Sequence, residues 1–458
     1  MTASMLRETS LDANRGRVLA VLCAGMFLVL LDVTIVNVAL PSIGRGLHAP
    51  ISMQQWVVDG YVVAIAGLLL AGGTLGDRVG HRRVLIAGFA VFGVASLVCA
   101  LAPDVGVLIA ARVAQGVGAA LLLPSTMAVI VDVYPERGEQ AKALGAWAAV
   151  SSLALPAGPL LGGVLTDGLG WRPVFWINVP LTVFAIGAAL LVVPNRDGDR
   201  GRWVDVLGSV GFVAGLGGLV FTVIEAGHRA GVAVVVASGV VTALGLSTAL
   251  WSARRGEHPI LPLDLLRRKE FLSPNAVALI MNLVFNGLLF VGMLYLQEVL
   301  GFSPLTAGAM VLPLAIPLVA LAPVSGRLTA ARGPRTAVSI GCVFAVAGSL
   351  LLIGISAAGG SGWLLSGFTL LGCGAGLVTT AVVAAVVRAT PPDRSGLATG
   401  VSNTARQIGT ATGVAIFGAI AGSPQEPHFV PALHALAVAA ALAWCAALAL
   451  TRFGVLTE

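Results

Sequence analysis

The chain has 458 residues, 57% of them hydrophobic and only 10% charged, with 58 glycines and a mean hydropathy of +0.95, which excludes an ordinary soluble globule. A net charge of +6 and a pI near 9.5 could suit a nucleic-acid partner, but there is no soluble basic domain to hold one. What remains is an all-α polytopic membrane protein.

Apolar runs of about 20 residues, the length that crosses a hydrocarbon core, recur about fourteen times. Behind a polar leader (1–16) the first run, 17–40, is too long for a signal-peptide core and lacks a small-residue cleavage site, so it is expected to be retained. It carries Asp32 and Asn37. The second run, 52–75, carries Trp56, Asp59 and Tyr61, and a glycine-rich basic turn follows: Gly73, Asp77, Arg78, Gly80, Arg82, Arg83. Runs 83–102 and 104–131 come next, the latter holding Arg112. The fifth, 142–165, contains Gly158, Pro159, Gly162 and Gly163, and the sixth covers 173–194. A linker region, 195–270, has a charged start and end and two further runs at 204–225 and 231–253. The remaining six are 271–297, 303–326, 335–356, 361–387, 396–421 (with Arg406) and 431–451, before a short tail, 453–458.

Nearly all of the 27 Lys and Arg fall on the side of the N-terminus; only Arg45, Arg172 and Arg229 lie on the other, and Arg112 and Arg406 lie within runs. The positive-inside rule then makes both termini cytoplasmic. The turn at Gly73–Arg82 is echoed at Gly326–Arg335, with Gly, Leu, Gly and Arg at equal offsets and Ala330 where the first copy has Asp77. Two related six-helix bundles, 17–194 and 271–452, separated by two inserted helices, account for this echo, as in transporters built from repeats. The five cysteines stand singly, with no CxxC and no metal-ligand spacing, and no cofactor or metal is expected.

A charge within a span costs roughly 2.5–3.5 kcal/mol on insertion scales, so each one is a site to explain. At 1.5 Å per residue, Asp32, Asp59 and Arg112 all lie about 10–12 Å from the same face. Burial opposes a carboxylate's charge and a neighbouring Arg favours it, and that opposition is what a proton switch needs. A static ion pair is the competing account. The loops hold no nucleophile–base pair and no phosphate-cradling loop, which argues against an enzyme.

The basic turn, the stretch Leu108–Gly118 around Arg112 and Gln115, the stretch Gly158–Gly163, and Leu31–Pro41 resemble signature motifs of the major facilitator superfamily. Leu31–Pro41 and Trp171–Pro180 further resemble its fourteen-span drug:proton antiporter branch. The resemblance implies a monomeric, multi-pass exporter of the bacterial cytoplasmic membrane, working by alternating access. It would exchange protons for small amphipathic molecules, cationic or zwitterionic, with the proton gradient as the only driving force. Together with the physics of each site it implies proton coupling at Asp32 with Arg112. Asp59 would be a cation-recognition or second protonation site, and Arg406, Trp56, Tyr61 and Asn37 would meet substrate. The turn holding Gly73, Asp77, Arg78, Gly80 and Arg82 would act as a conformational latch. Gly158, Pro159, Gly162 and Gly163 would be the antiporter motif, packing closely against the opposite bundle. Export of a single endogenous metabolite, lipid transport, and a transport-dead sensor are the alternatives.

Overall fold

The structure is a computed structural model and describes residues 2–199, 204–228, 231–256, 262–356, 359–391 and 394–453; Arg229 lies outside them. The first set of helices is α1 (Thr2–Gly46), α2 (Ile51–Val79), α3 (His81–Leu101), α4 (Val105–Val133), α5 (Arg137–Leu169), α6 (Pro173–Trp176) and α7 (Asn178–Val192). Then come α8 (Val206–Gly227), α9 (Val232–Arg255) and the short α10 (Leu263–Leu266). The second set is α11 (Lys269–Leu294), ending in a π-turn at Tyr295–Val299, then α12 (Pro304–Arg332), α13 (Pro334–Leu351), α14 (Ser361–Arg388), α15 (Ser395–Ala421) and α16 (Phe429–Phe453). Thirteen spans among the described residues are long and apolar enough to cross a membrane. The 27-residue α15 is also long enough, and Asn403, Arg406 and Gln407 make it more polar, so about fourteen spans result.

The two sets pack by the same rule. In the first, α1 lies on α5, α2 on α4, and α3 on α4 and α7; in the second, α11 lies on α15, α12 on α14, and α13 on α14 and α16. The repeated turn shows why. At Gly80 (φ 98°) and again at Gly333 (φ 77°) a single residue in the left-handed region reverses the chain between two long helices, a conformation that disfavours any side chain.

Between the sets, α2 meets α15 and α5 meets α12. The face away from the termini is sealed. There Arg45 pairs with Glu298 at 2.5 Å, and Gln297 donates to the Val38 carbonyl at 2.9 Å. A Cβ on Gly308 would lie 2.2 Å from the Pro159 carbonyl oxygen, and one on Gly163 would lie 2.7 Å from the Cα of Leu305. The basic half is open. Ala141, Gly145 and Ala148 of α5 are exposed, whereas Pro159, Gly163 and Thr166, each eighteen residues or five turns further on and so on the same helix face, are buried. One face of α5 thus closes against α12 at one end and is bare at the other.

Replacing Gly308 by Val wedges this seal. In a cysteine-free background carrying Val38→Cys, labelling by an impermeant thiol reagent from the sealed face is expected to rise at least about tenfold when Gly308→Val is added, the effect of a conformational bias of about 1.4 kcal/mol. Unchanged labelling would refute the assignment of Gly308 to the seal.

Candidate functional site

Three of the five motif stretches, Leu31–Pro41, Leu108–Gly118 and Trp171–Pro180, converge on one carboxylate. Asp32 is fully buried in α1, and Arg112 and Gln115, three residues apart and so on one face of α4, both reach it. Arg112 Nη1 donates to Asp32 Oδ2 in a buried ion pair. Gln115 Nε2 donates to Asp32 Oδ1 at 3.0 Å and to Ser96 Oγ of α3 at 2.7 Å, while its Oε1 accepts from Arg112 Nη1 at 2.8 Å. Asn178, the first residue of α7, donates from Nδ2 to Asp32 Oδ1 at 2.9 Å. The guanidinium also donates through Nε to the Val57 carbonyl at 2.9 Å and lies over the rings of Tyr61 at 4.3 Å and Phe175 at 5.8 Å. Removing two charges from water costs several kcal/mol per ion, and the pair holds only because hydrogen bonds satisfy the remaining lone pairs and protons. Here four helices supply them.

Asp59, predicted at the same depth, does not join this cluster. It is fully buried, and neither carboxyl oxygen has a hydrogen-bond partner among the described residues. One turn before it, Gln55 donates to the Val414 and Ala415 carbonyls of α15; one turn after it, Val63 faces Gly217 of α8. Asp59 therefore lies where α2, α8 and α15 meet.

Three residues expected to touch substrate are placed elsewhere, which corrects the sequence expectation. Tyr61 is fully buried; its hydroxyl donates to the Val29 carbonyl at 3.3 Å and its ring covers Arg112. Asn37 spends its amide on the Val33 carbonyl one turn back, at 2.8 Å. Trp56 packs on Phe221 of α8, with ring centroids 5.9 Å apart. Arg406 donates to the Thr379 carbonyl of α14 at 3.2 Å and keeps a buried Nε without a partner among the described residues.

The antiporter motif divides between two partners. Gly158 and Gly162 face α1 of their own bundle and not the opposite one as expected: added Cβ atoms would lie 1.9 Å from Thr34 Oγ1 and 2.9 Å from the Ile35 carbonyl oxygen. Pro159 and Gly163, on the adjoining face, meet α12. In the basic turn, a Cβ on Gly73 would lie 3.5 Å from Pro124, Asp77 pairs with His81 at 3.1 Å and Arg83 with Asp197 at 3.1 Å, and Arg82 donates to the Leu190 carbonyl. The segment after α7 crosses this turn. Asp199 N–H donates to the Asp77 carbonyl at 2.8 Å, and Gly198 fits against the backbone of Asp77 and Arg78.

Sequence reasoning gave no role to Gln115, Asn178 or Ser96. The Arg112–Gln115 spacing was a usable signal for the first. Nothing local pointed Asn178 or Ser96 at Asp32, because their approach depends on the packing of α7 and α3.

Overpacking at the α1–α5 contact is expected to cost about 1–3 kcal/mol, so Gly158→Val lowers the thermal midpoint of the purified protein. Gly145→Val, whose added carbon meets nothing within 4 Å, changes it little. Equal midpoints for both variants would contradict the contact.

A sequence profile of the Major Facilitator Superfamily matches residues 22–414. The chain is 33% identical over 422 residues to the multidrug resistance protein Stp of Mycobacterium tuberculosis, covering 91% of this chain and 78% of that one. It is 32% identical over 430 residues to the methylenomycin A resistance protein of Streptomyces coelicolor, covering 93% and 90%. To the tetracenomycin C resistance and export protein of Streptomyces glaucescens it is 32% identical over 426 residues, covering 92% and 79%. Among solved structures, a bacterial homologue of the human drug peptide transporters PepT1 and PepT2 superposes with a TM-score of 0.65 at 16% identity, over 95% of this chain and 98% of that one. The human organic anion transporter MFSD10 gives 0.64 at 16% identity, over 95% and 99%; at such identities the fold alone is shared. With a profile over most of the chain and relatives above 30% identity along nearly all of it, this multi-pass membrane protein belongs to the Major Facilitator Superfamily and is a secondary transporter, not an enzyme.

Proposed function

We propose that the protein is a drug exporter driven by proton exchange, taking amphipathic cationic or zwitterionic compounds from the cytoplasm or inner leaflet. The basic, open face is cytoplasmic by the positive-inside rule, so the structure corresponds to the state that receives cargo. Relatives named for resistance to or export of antibiotics support the direction of transport.

The observation that carries proton coupling is a line of contacts from the buried acid to the seal. Asp32 lies two and three residues from Thr34 and Ile35, against which Gly158 and Gly162 of α5 are pressed, and the adjoining Pro159 and Gly163 of that helix touch Gly308 and Leu305 of α12. A proton on Asp32 removes its attraction to Arg112, freeing α1 to shift. With no space between α1 and α5, a shift of α1 reaches the seal. In a membrane potential each net charge moved supplies about 2.3 kcal/mol per 100 mV, roughly a fiftyfold gradient. Asp59 is the second protonation site in this reading: full burial at the α2–α8–α15 junction removes it from direct contact with cargo. The turn around Asp77 is the latch, here held on its own bundle by the segment after α7.

The test is compound-evoked proton release from energised inside-out vesicles, screening lipophilic cations and aromatic antibiotics. Wild type is expected to move protons on addition of a cargo; Asp32→Asn is expected to bind it and move none. Full proton release by the Asp32→Asn variant, or silence of wild type with a compound bound, would end the exchange reading. A response to one antibiotic and none to the others would mark a dedicated exporter.

A further inference from the structure

Asn178 belongs to no step described so far, yet it touches the coupling carboxylate directly. It sits in the sixth span, where Pro180 has no N–H to bond the Trp176 carbonyl while Ile177 keeps helical dihedrals (φ −58°, ψ −29°), and it is 1% exposed. One end of its amide is used and the other is not. Nδ2 donates to Asp32 Oδ1 at 2.9 Å, whereas Oδ1 is buried without a partner among the described residues.

The hydrogen-bond inventory around Asp32 gives that idle oxygen a purpose. An ionised carboxylate only accepts, and Arg112, Gln115 and Asn178 each donate to it. A protonated one must also donate its new O–H. Arg112 offers donors only. The Gln115 carbonyl already accepts from Arg112 and lies 3.5 Å from Cys99 Sγ, and the Tyr61 hydroxyl is turned to the Val29 carbonyl. Asn178 Oδ1 is the open acceptor among these groups, on a side chain already in contact. Half a turn of the amide exchanges its donor and acceptor without moving the backbone. The titratable and charged groups facing Asp32 are Arg112 on α4, Tyr61 on α2 and Cys99 on α3; α7 has none, nor has α5 between Lys142 and Asp167.

We infer that Asn178 is a positioning residue that follows the protonation state of Asp32, donating from Nδ2 to the carboxylate and, after an amide flip, accepting at Oδ1 from the carboxylic acid. The inference rests on Asp32 being the group that exchanges the proton.

The experiment is infrared difference spectroscopy on lipid-reconstituted protein as pH is varied, paired with the pH profile of compound-evoked proton release. Wild type, Asp32→Asn, Asn178→Leu and Asn178→Ser are compared. In wild type a carboxylic acid band that is missing from Asp32→Asn grows as pH falls. An amide carbonyl band that is missing from Asn178→Leu shifts to lower frequency with the same midpoint. Asn178→Leu moves the midpoint of proton release by about half a unit or more to higher pH, because the charge-assisted bond lost from the ionised form is the stronger of the two. Asn178→Ser, whose hydroxyl both donates and accepts, returns it toward wild type and keeps the test open if the Leu variant does not fold. An amide band that stays fixed while the acid band titrates overturns the inference and leaves Asp32 as the coupling site. So do unchanged midpoints in both Asn178 variants. Persistence of the acid band and of the pH profile in Asp32→Asn overturns the inference together with the reading beneath it.

Discussion

The ion pair between Asp32 and Arg112 is the interaction around which the first bundle is arranged. Two charges withdrawn from water cannot be left half-satisfied, and this requirement recruits α3, α4 and α7 around α1. Gln115 bridges the acid to Ser96, Asn178 fixes the start of α7, and the carbonyl of Val57 on α2 takes the Nε–H of Arg112. Tyr61 and Phe175 close the apolar side. Removing either charge strands the other, which costs about 3–5 kcal/mol in comparable buried pairs.

Much of this was legible in the chain. Asp32 and Arg112 were found because charge inside a span is costly and therefore conspicuous, and their shared depth followed from helical rise alone. The repeated turn was readable because glycine marks a backbone conformation that other residues avoid, and Gly80 and Gly333 both adopt it. What failed was rotation about the helix axis. A span has no polar face toward water, so sequence gives depth without direction. Asp59 therefore shared a level with Arg112 yet faces α8 and α15, and Tyr61, Asn37 and Trp56 were read as facing cargo when each is occupied within the fold. Gly158 and Gly162 turned toward α1 for the same reason: small residues predict a close neighbour and do not say which one.

Contacts between the bundles are unequal along their length. At the face away from the termini, Arg45 with Glu298, Gln297 with Val38, and α5 with α12 bind the halves together. The π-turn at Tyr295–Val299 carries both Gln297 and Glu298, and such turns often mark places where a helix is used. The ion pair there is half-exposed and screened by salt, so it adds little affinity and mainly fixes register. Apolar contact between small residues supplies the seal itself.

The first helix inserted between the bundles, α8, covers one of the two joints between them. Along α8, Val213 meets Gly67 and Phe221 meets Trp56 on α2, while Gly227 meets Ala419 on α15. The α2–α15 joint it covers stays in contact from Gln55 with Ala415 down to Leu70 with Gly400, whereas α5 and α12 close at one end only. The protein is thus bound along one edge like the spine of a book. Along that edge the two sets are held over the length of the joint, and along the other the basic half is left bare, so the constraint on their separation is one-sided.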